Sequence, residues 1–250
     1  MVNKLTKNNS DFERDQAVDD LFKNIQMEGA SEVELPSEGR FYSNSSPTVT
    51  VRPLTFSDEK DLAVSLQQKT NIVNIILSKC VDGIKVNDLL LIDKIVLLLK
   101  IREISYGSNY DVKVTCPKCA AESEISIDLS KLLISKIPQD INYEREIMLP
   151  KLKVPAVVRF LKVSDEPFIK NISDIYKNLW RFVISINGVK DPVYINKVIE
   201  RMISMDSQTM LKEINRDDLG LDPRFILQCA DCGKESEMGV PINDNFFSVT

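Results

Sequence analysis

The chain has 250 residues, 43% of them hydrophobic and 28% charged, with 37 acidic against 32 basic side chains and a net charge of −5. That is enough apolar material for a packed core in one or two domains, and the charge is too nearly balanced for a disordered chain. It contains no histidine, which removes Ser-His-Asp triads, Cys-His pairs, histidine acid–base chemistry and every imidazole-dependent metal site.

The eight glycines never fall two apart, and Gly233-Lys234 continues with Glu235. Neither a G-x-G turn nor a P-loop is available to cradle phosphates. The first residues, Met1 to Asn9, lack an apolar signal region. The most apolar run, Leu89 to Ile101, carries Asp93, Lys94 and Lys100 and falls short of the ~20 residues a membrane span needs. An intracellular, reducing setting without membrane contact is therefore expected, and cysteines read as metal ligands or core residues before disulfides.

From Asp11 to Glu38 nine acids face two bases. Val18, Leu21, Phe22 and Ile25 recur at helical spacing within this stretch, with Phe12 a turn or two earlier. The segment is either a helix folded back on its own domain or an acidic amphipathic helix that docks on a partner. A turn-rich stretch, Leu35 to Tyr42, leads to a short β-branched strand, Thr48 to Val51, closed by Pro53. Thr55 or Ser57 caps a helix to about Gln67, whose Asp58, Glu59 and Asp61 read as a solvated face favoured by the helix dipole. A second helix spans about Asn71 to Val81, with Cys80 as a buried small hydrophobe. A third runs from Asn87 or Asp88 to about Ile104, apolar nearly all round and so central.

Beyond it the pattern alternates: strands at Tyr110 to Val114, Glu124 to Asp128, Ile147 to Leu149 and Val157 to Val163. Ser164 caps a helix expected to reach about Ile186. Two shorter helices follow, near Val193–Ile203 and Asp206–Asn215, then a strand from Arg224 to Cys229. There is no solenoid-type repeat, although the two cysteine turns resemble each other.

Those turns are Cys116-Pro117-Lys118-Cys119 and Cys229-Ala230-Asp231-Cys232. Each has an alternating approach and an alternating departure, the sequence form of a zinc knuckle. Two residues between thiolates let both sulfurs lie about 2.3 Å from one ion. Gly233 supplies the positive φ such a turn often wants. Cys116, Cys119, Cys229 and Cys232 are thus the candidate ligands of a structural zinc, the closed set available without histidine; iron in the same place is left open. A redox dithiol is the rival, disfavoured because neither pair opens a helix after a βαβ unit. Four thiolates leave no open coordination position, so such a site is not catalytic. The separation of the pairs implies an insertion within the ribbon.

The most basic window, Lys131 to Lys162, has seven bases (Lys131, Lys136, Arg145, Lys151, Lys153, Arg159, Lys162) against three acids. It reads as a phosphate-binding face or as a surface for an acidic protein, including this chain's own 11–38 segment. Few aromatics interleave it, which argues against stacking on nucleic acid.

The order of the short motifs resembles the T4-type phage baseplate proteins. The resemblance runs through Leu35-Pro36-Ser37-x-Gly39-x-Phe41-Tyr42 and Val51-Arg52-Pro53-Leu54-Thr55 opening a helix with Asp58-Glu59. It continues with a Leu/Ile-rich helix, then Ser105-Tyr106-Gly107-x-x-Tyr110, a knuckle followed by Asp128-Leu129, a second Cys-x-x-Cys-Gly and the terminal pair Phe246-Phe247. It covers residues 33–250 and implies a factor that assembles the baseplate hub, or a minor hub component, with hub proteins as partners, in the host cytoplasm during assembly or in the virion tail baseplate. No catalytic residues and no small-molecule substrate come with it.

The expected fold is α+β: a polar and acidic arm (1–40), a helical bundle (41–110), and a split zinc-ribbon-like region (111–250) with an α/β insertion (130–223) between the knuckles. The expected function is non-enzymatic baseplate hub assembly through protein–protein contacts. The alternatives are a zinc-ribbon nucleic-acid-binding regulator and a dithiol oxidoreductase. Phe246-Phe247 packs either on the chain's own ribbon or on a partner.

Overall fold

A computed structural model describes residues 13–21, 29–43, 45–67, 71–132, 134–215, 223–242 and 244–247. The architecture is mixed, 43% helical and 24% strand, in keeping with an α+β class. Residues 13–21 are helical with every side chain exposed, Val18 and Leu21 at 54% and 67%. Phe12, Phe22 and Ile25, the rest of the expected apolar stripe, lie outside the described residues.

In chain order the body comprises β1 (Ser31–Glu34), β2 (Thr48–Val51), α1 (Phe56–Gln67), α2 (Ile72–Cys80), α3 (Leu91–Tyr106), β3 (Asn109–Thr115) and β4 (Glu122–Asp128). There follow β5 (Glu144–Met148), β6 (Pro155–Arg159), α4 (Ile172–Asn178), β7 (Val183–Ile186), α5 (Pro192–Arg201), α6 (Ser204–Ile214), β8 (Arg224–Gln228) and β9 (Glu235–Gly239). β1–β2, β3–β4 and β8–β9 are antiparallel two-stranded sheets, and β5–β6–β7 is an antiparallel three-stranded one.

Helix α3 is central, as its all-round apolar sequence requires; Leu97, Leu98 and Ile101 are at most 1% exposed. It begins at Leu91 rather than at Asn87 or Asp88, which instead form a 3₁₀ turn. Leu90 is held extended by a bridge to Lys162, and its N–H donates to the Tyr42 hydroxyl, so the chain cannot enter the helix earlier. The principal core gathers α2, α3, β1, β2 and the terminal pair Phe246 and Phe247. Those two rings are 0% and 8% exposed; Phe246 meets Tyr110 edge-on at 4.9 Å and Phe247 at 5.0 Å. They pack on their own chain. A second core lies between β5–β7 and α5–α6 around Leu149, Phe182, Ile195 and Met210.

Several local expectations are corrected. The single helix from Ser164 to about Ile186 is a 3₁₀ segment, α4, a second 3₁₀ turn and then β7. The β-branched alternation Val183-Ile184-Ser185-Ile186 pairs with β6, where branched side chains fit a pleated surface better than a helix. β1 lies within the stretch read as an acidic arm: only Val33 faces inward, so the alternation is too short to stand out. Asp58 is not a solvated side chain. It is 4% exposed and ion-paired to Arg52 at 2.8 Å and Lys79 at 3.3 Å.

Gly39 of the Pro-Ser-x-Gly turn has φ +69°, and a Cβ there would sit 1.9 Å from the Ser46 carbonyl oxygen, so no other residue fits. Arg40 beside it donates to the carbonyls of Ile137, Pro138, Gln139 and Ile141, tying down the segment between β4 and β5.

The second half of the chain repeats the plan of the first. Hairpins β1–β2 and β5–β6 open the two halves. In each, a Leu-Pro pair is followed by an N–H that donates to a buried aspartate, the third residue of a helix: Ser37 to Asp93 (3.0 Å) in α3, Lys151 to Asp206 (2.7 Å) in α6. The second strand of each hairpin leads into a Val-Arg pair, Val51-Arg52 or Val158-Arg159, and the arginine binds an aspartate six residues on. Arg52 Nη1 donates to the Pro53 carbonyl and to Asp58, which also accepts from the Thr55 N–H. Arg159 Nη1 donates to the Phe160 carbonyl and to Asp165, which accepts from the Lys162 N–H. A later segment returns beside that strand, Val81 bridging Val51 in one half and β7 pairing β6 in the other, and a turn at Asp82-Gly83 or Asn187-Gly188 follows. Each half closes with a hairpin, β3–β4 or β8–β9, bearing a cysteine pair at its tip.

Candidate metal centre

The two tips meet. β3 delivers Cys116 and β4 departs after Cys119; β8 delivers Cys229 and β9 departs after Cys232. Backbone bonds close the turns alike: Cys116 N–H donates to Ala121 O and Ala120 N–H to Cys116 O, while Cys229 N–H donates to Lys234 O and Gly233 N–H to Cys229 O. Gly233 has φ +66°, as expected from its sequence, and Ala120 takes the matching position at φ +59°. Beneath the sulfurs Val114 and Leu227, each two residues before the first cysteine of its pair, pack with Cys116 and Cys229 into a small apolar cluster.

The four Sγ atoms lie within 4.8 Å of one another, with 3.9 Å from Cys116 to Cys232 and 3.6 Å from Cys119 to Cys229. Exchanging the two knuckles maps one contact onto the other. For sulfurs about 2.3 Å from a central ion, a tetrahedron has edges of about 3.8 Å, so the spacing could hold one metal ion. It is far from the 2.03–2.05 Å of a disulfide bond.

The turns prepare the thiols. The Lys118 N–H donates to Cys116 Sγ at 3.4 Å, and the amides of Lys118 and Cys119 lower the Cys116 thiol to about 7. The Ala121 amide pulls Cys119 the same way, but desolvation and the facing Cys229, Cys232 and Cys116 sulfurs outweigh it and push that thiol up to about 12. Once one sulfur ionises, its neighbours resist a second negative charge, a penalty that a dication at the centre removes. Cys80 is separate from this group. It is 2% exposed at the end of α2, and burial lifts its thiol to about 11.

Sequence reading missed the polar residues that hold the halves in shape. Asp93 accepts from the Ser37 N–H, the Ser37 hydroxyl and the Tyr42 hydroxyl, and burial raises its carboxyl. Glu166 binds Lys94 across the two halves at 2.5 Å. The findable signal was the pair Val51-Arg52-x-Leu54-x-x-Ser57-Asp58-Glu59 and Val158-Arg159-x-Leu161-x-x-Ser164-Asp165-Glu166, matching at every named position.

The basic window is largely spoken for. Lys131 pairs with Asp128, Lys136 with Glu34 and Glu38, Arg145 with Glu213, and Arg159 with Asp165.

The family model described as T4 bacteriophage base plate protein matches residues 27–248. The chain belongs to that family. The match takes in both cysteine-bearing hairpins of this base plate protein, and the family places it with the tail baseplate and with other baseplate proteins as its contacts. No curated protein and no solved structure matches it. No helix among the described residues is long and apolar enough to cross a membrane.

Proposed function

We propose that this base plate protein is a non-enzymatic hub assembly factor or minor hub component, working through protein–protein contacts and held in shape by one structural zinc on Cys116, Cys119, Cys229 and Cys232. The spacing of the four sulfurs, close to the edges of a zinc–thiolate tetrahedron, carries the reading. Zinc fits the donor set because thiolate ligands suit it, and a closed four-sulfur shell gives the ion a structural task. Its binding would supply folding free energy; in zinc-finger peptides that is about 10–16 kcal/mol.

In this reading each knuckle ends one half of the duplicated plan, and the ion fastens the halves together. The region 130–223, expected as an insertion in a ribbon, then forms most of the second half. The surfaces so fixed meet hub subunits in the host cytoplasm during assembly. The internal pairing of four of the seven bases between residues 131 and 162 weighs against a phosphate-binding face.

The test is Cys116→Ser and Cys229→Ser, followed in a hub assembly reaction with the metal content of each variant. Loss of zinc together with loss of assembly is expected. A metal-free variant that assembles hubs at the wild-type rate overturns the proposal.

A further inference from the structure

We propose that the groove beside α5 receives the acidic amphipathic helix, residues 13–21, of a second copy of this chain. The groove, about 340 Å³, is lined by Leu152, Tyr194, Lys197, Val198, Arg201 and Met202. Its floor is apolar, and Leu152 and Tyr194 remain 43% and 38% exposed. Ile203 and Met205, the next apolar residues along the chain, are 61% and 52% exposed, so the apolar surface extends beyond the groove itself.

The rim is cationic. Lys197 and Arg201 line it, and Lys151 and Lys153 flank Leu152 on the exposed turn between β5 and β6. Among the described residues none of these four has a carboxylate partner. Glu200, the one acid of α5, is not among the lining residues. The groove also lies where the two halves of the chain differ. Gly83 is followed by a 3₁₀ turn and then the helix bearing Asp93, whereas α5 is interposed between Gly188 and the helix bearing Asp206.

An apolar floor with a basic rim fits an acidic helix carrying an apolar stripe. The chain supplies one. Residues 13–21 include Glu13, Asp15, Asp19 and Asp20 against Arg14, with Val18 and Leu21 one turn apart. Both apolar side chains are exposed, as is every other side chain of residues 13–21. Helix and groove are both left uncovered within one chain, and reciprocal exchange between two copies satisfies both, giving a closed dimer with two equal contacts.

The test uses full chains and sedimentation equilibrium. Asp19→Lys with Asp20→Lys reverses the helix; Lys197→Glu with Arg201→Glu reverses the rim. All four positions lie on exposed surface, and unchanged circular dichroism confirms that each variant folds. Each variant alone is expected to dimerise at least about tenfold more weakly than wild type. An equimolar mixture of the two is expected to regain wild-type affinity, because every helix then faces a groove of opposite charge in trans. A chain that stays monomeric at every concentration overturns the proposal, whether the helix docks on its own groove or on a foreign protein. So does a dimer indifferent to both reversals.

Discussion

Asp206 holds the turn after β5 as Asp93 holds the turn after β1. Each is the third residue of its helix, fully buried, and bound to the N–H that follows a Leu-Pro pair. Asp206 also takes the Leu152 N–H at 3.1 Å. Asp206→Ala leaves two backbone donors without their acceptor. A charge-assisted hydrogen bond contributes about 1.5–3 kcal/mol, so a loss of at least about 2 kcal/mol is expected in urea unfolding. The tethered turn carries Leu152, so a smaller loss would mean that water replaces the carboxylate.

Asp58 gives the clearest pH dependence. The Arg52 guanidinium, followed by the Thr55 amide and hydroxyl, holds its carboxyl well below the ordinary 3.8. A depressed folded value means stability that is present above the unfolded value and lost as pH falls toward the folded one. The stability difference between wild type and Asp58→Asn should be constant above about pH 5 and shrink as the pH drops below about 4. A difference that grew on acidification would reverse the sign of the Arg52–Asp58 interaction.

The knuckles offer a paired substitution with opposite outcomes. Ala120 and Gly233 share the left-handed conformation, and a Cβ at Gly233 would meet no atom within 4 Å. Gly233→Ala therefore costs only the backbone preference, roughly 1 kcal/mol, while Ala120→Gly relieves the same strain and leaves stability unchanged or slightly higher. Thermal unfolding of the two variants side by side measures the contrast.

Features written in local chemistry were legible in the sequence. The cysteine pairs, the capped helices near 56–67 and 72–80, and the buried apolar helix α3 follow from spacing and composition alone. Features set by distant partners were not. Asp58 looks like an ordinary first-turn acid until Arg52 and Lys79 converge on it, and Asp93 and Asp206 reveal nothing until a turn far off in sequence needs an acceptor. Val183–Ile186 continues an apolar helical pattern, and only the waiting edge of β6 makes it a strand. The duplication left a readable trace around Arg52 and Arg159. Beyond that trace, unequal elements such as the long α1 and the interposed α5 put the halves out of step.

One quantity bears most directly on the centre of the molecule: metal content measured together with thiol reactivity on the folded full chain. One zinc per chain is expected, with Cys116, Cys119, Cys229 and Cys232 unreactive until a chelator or denaturant releases the ion. A folded chain that carries no metal while those four thiols react freely would contradict the account.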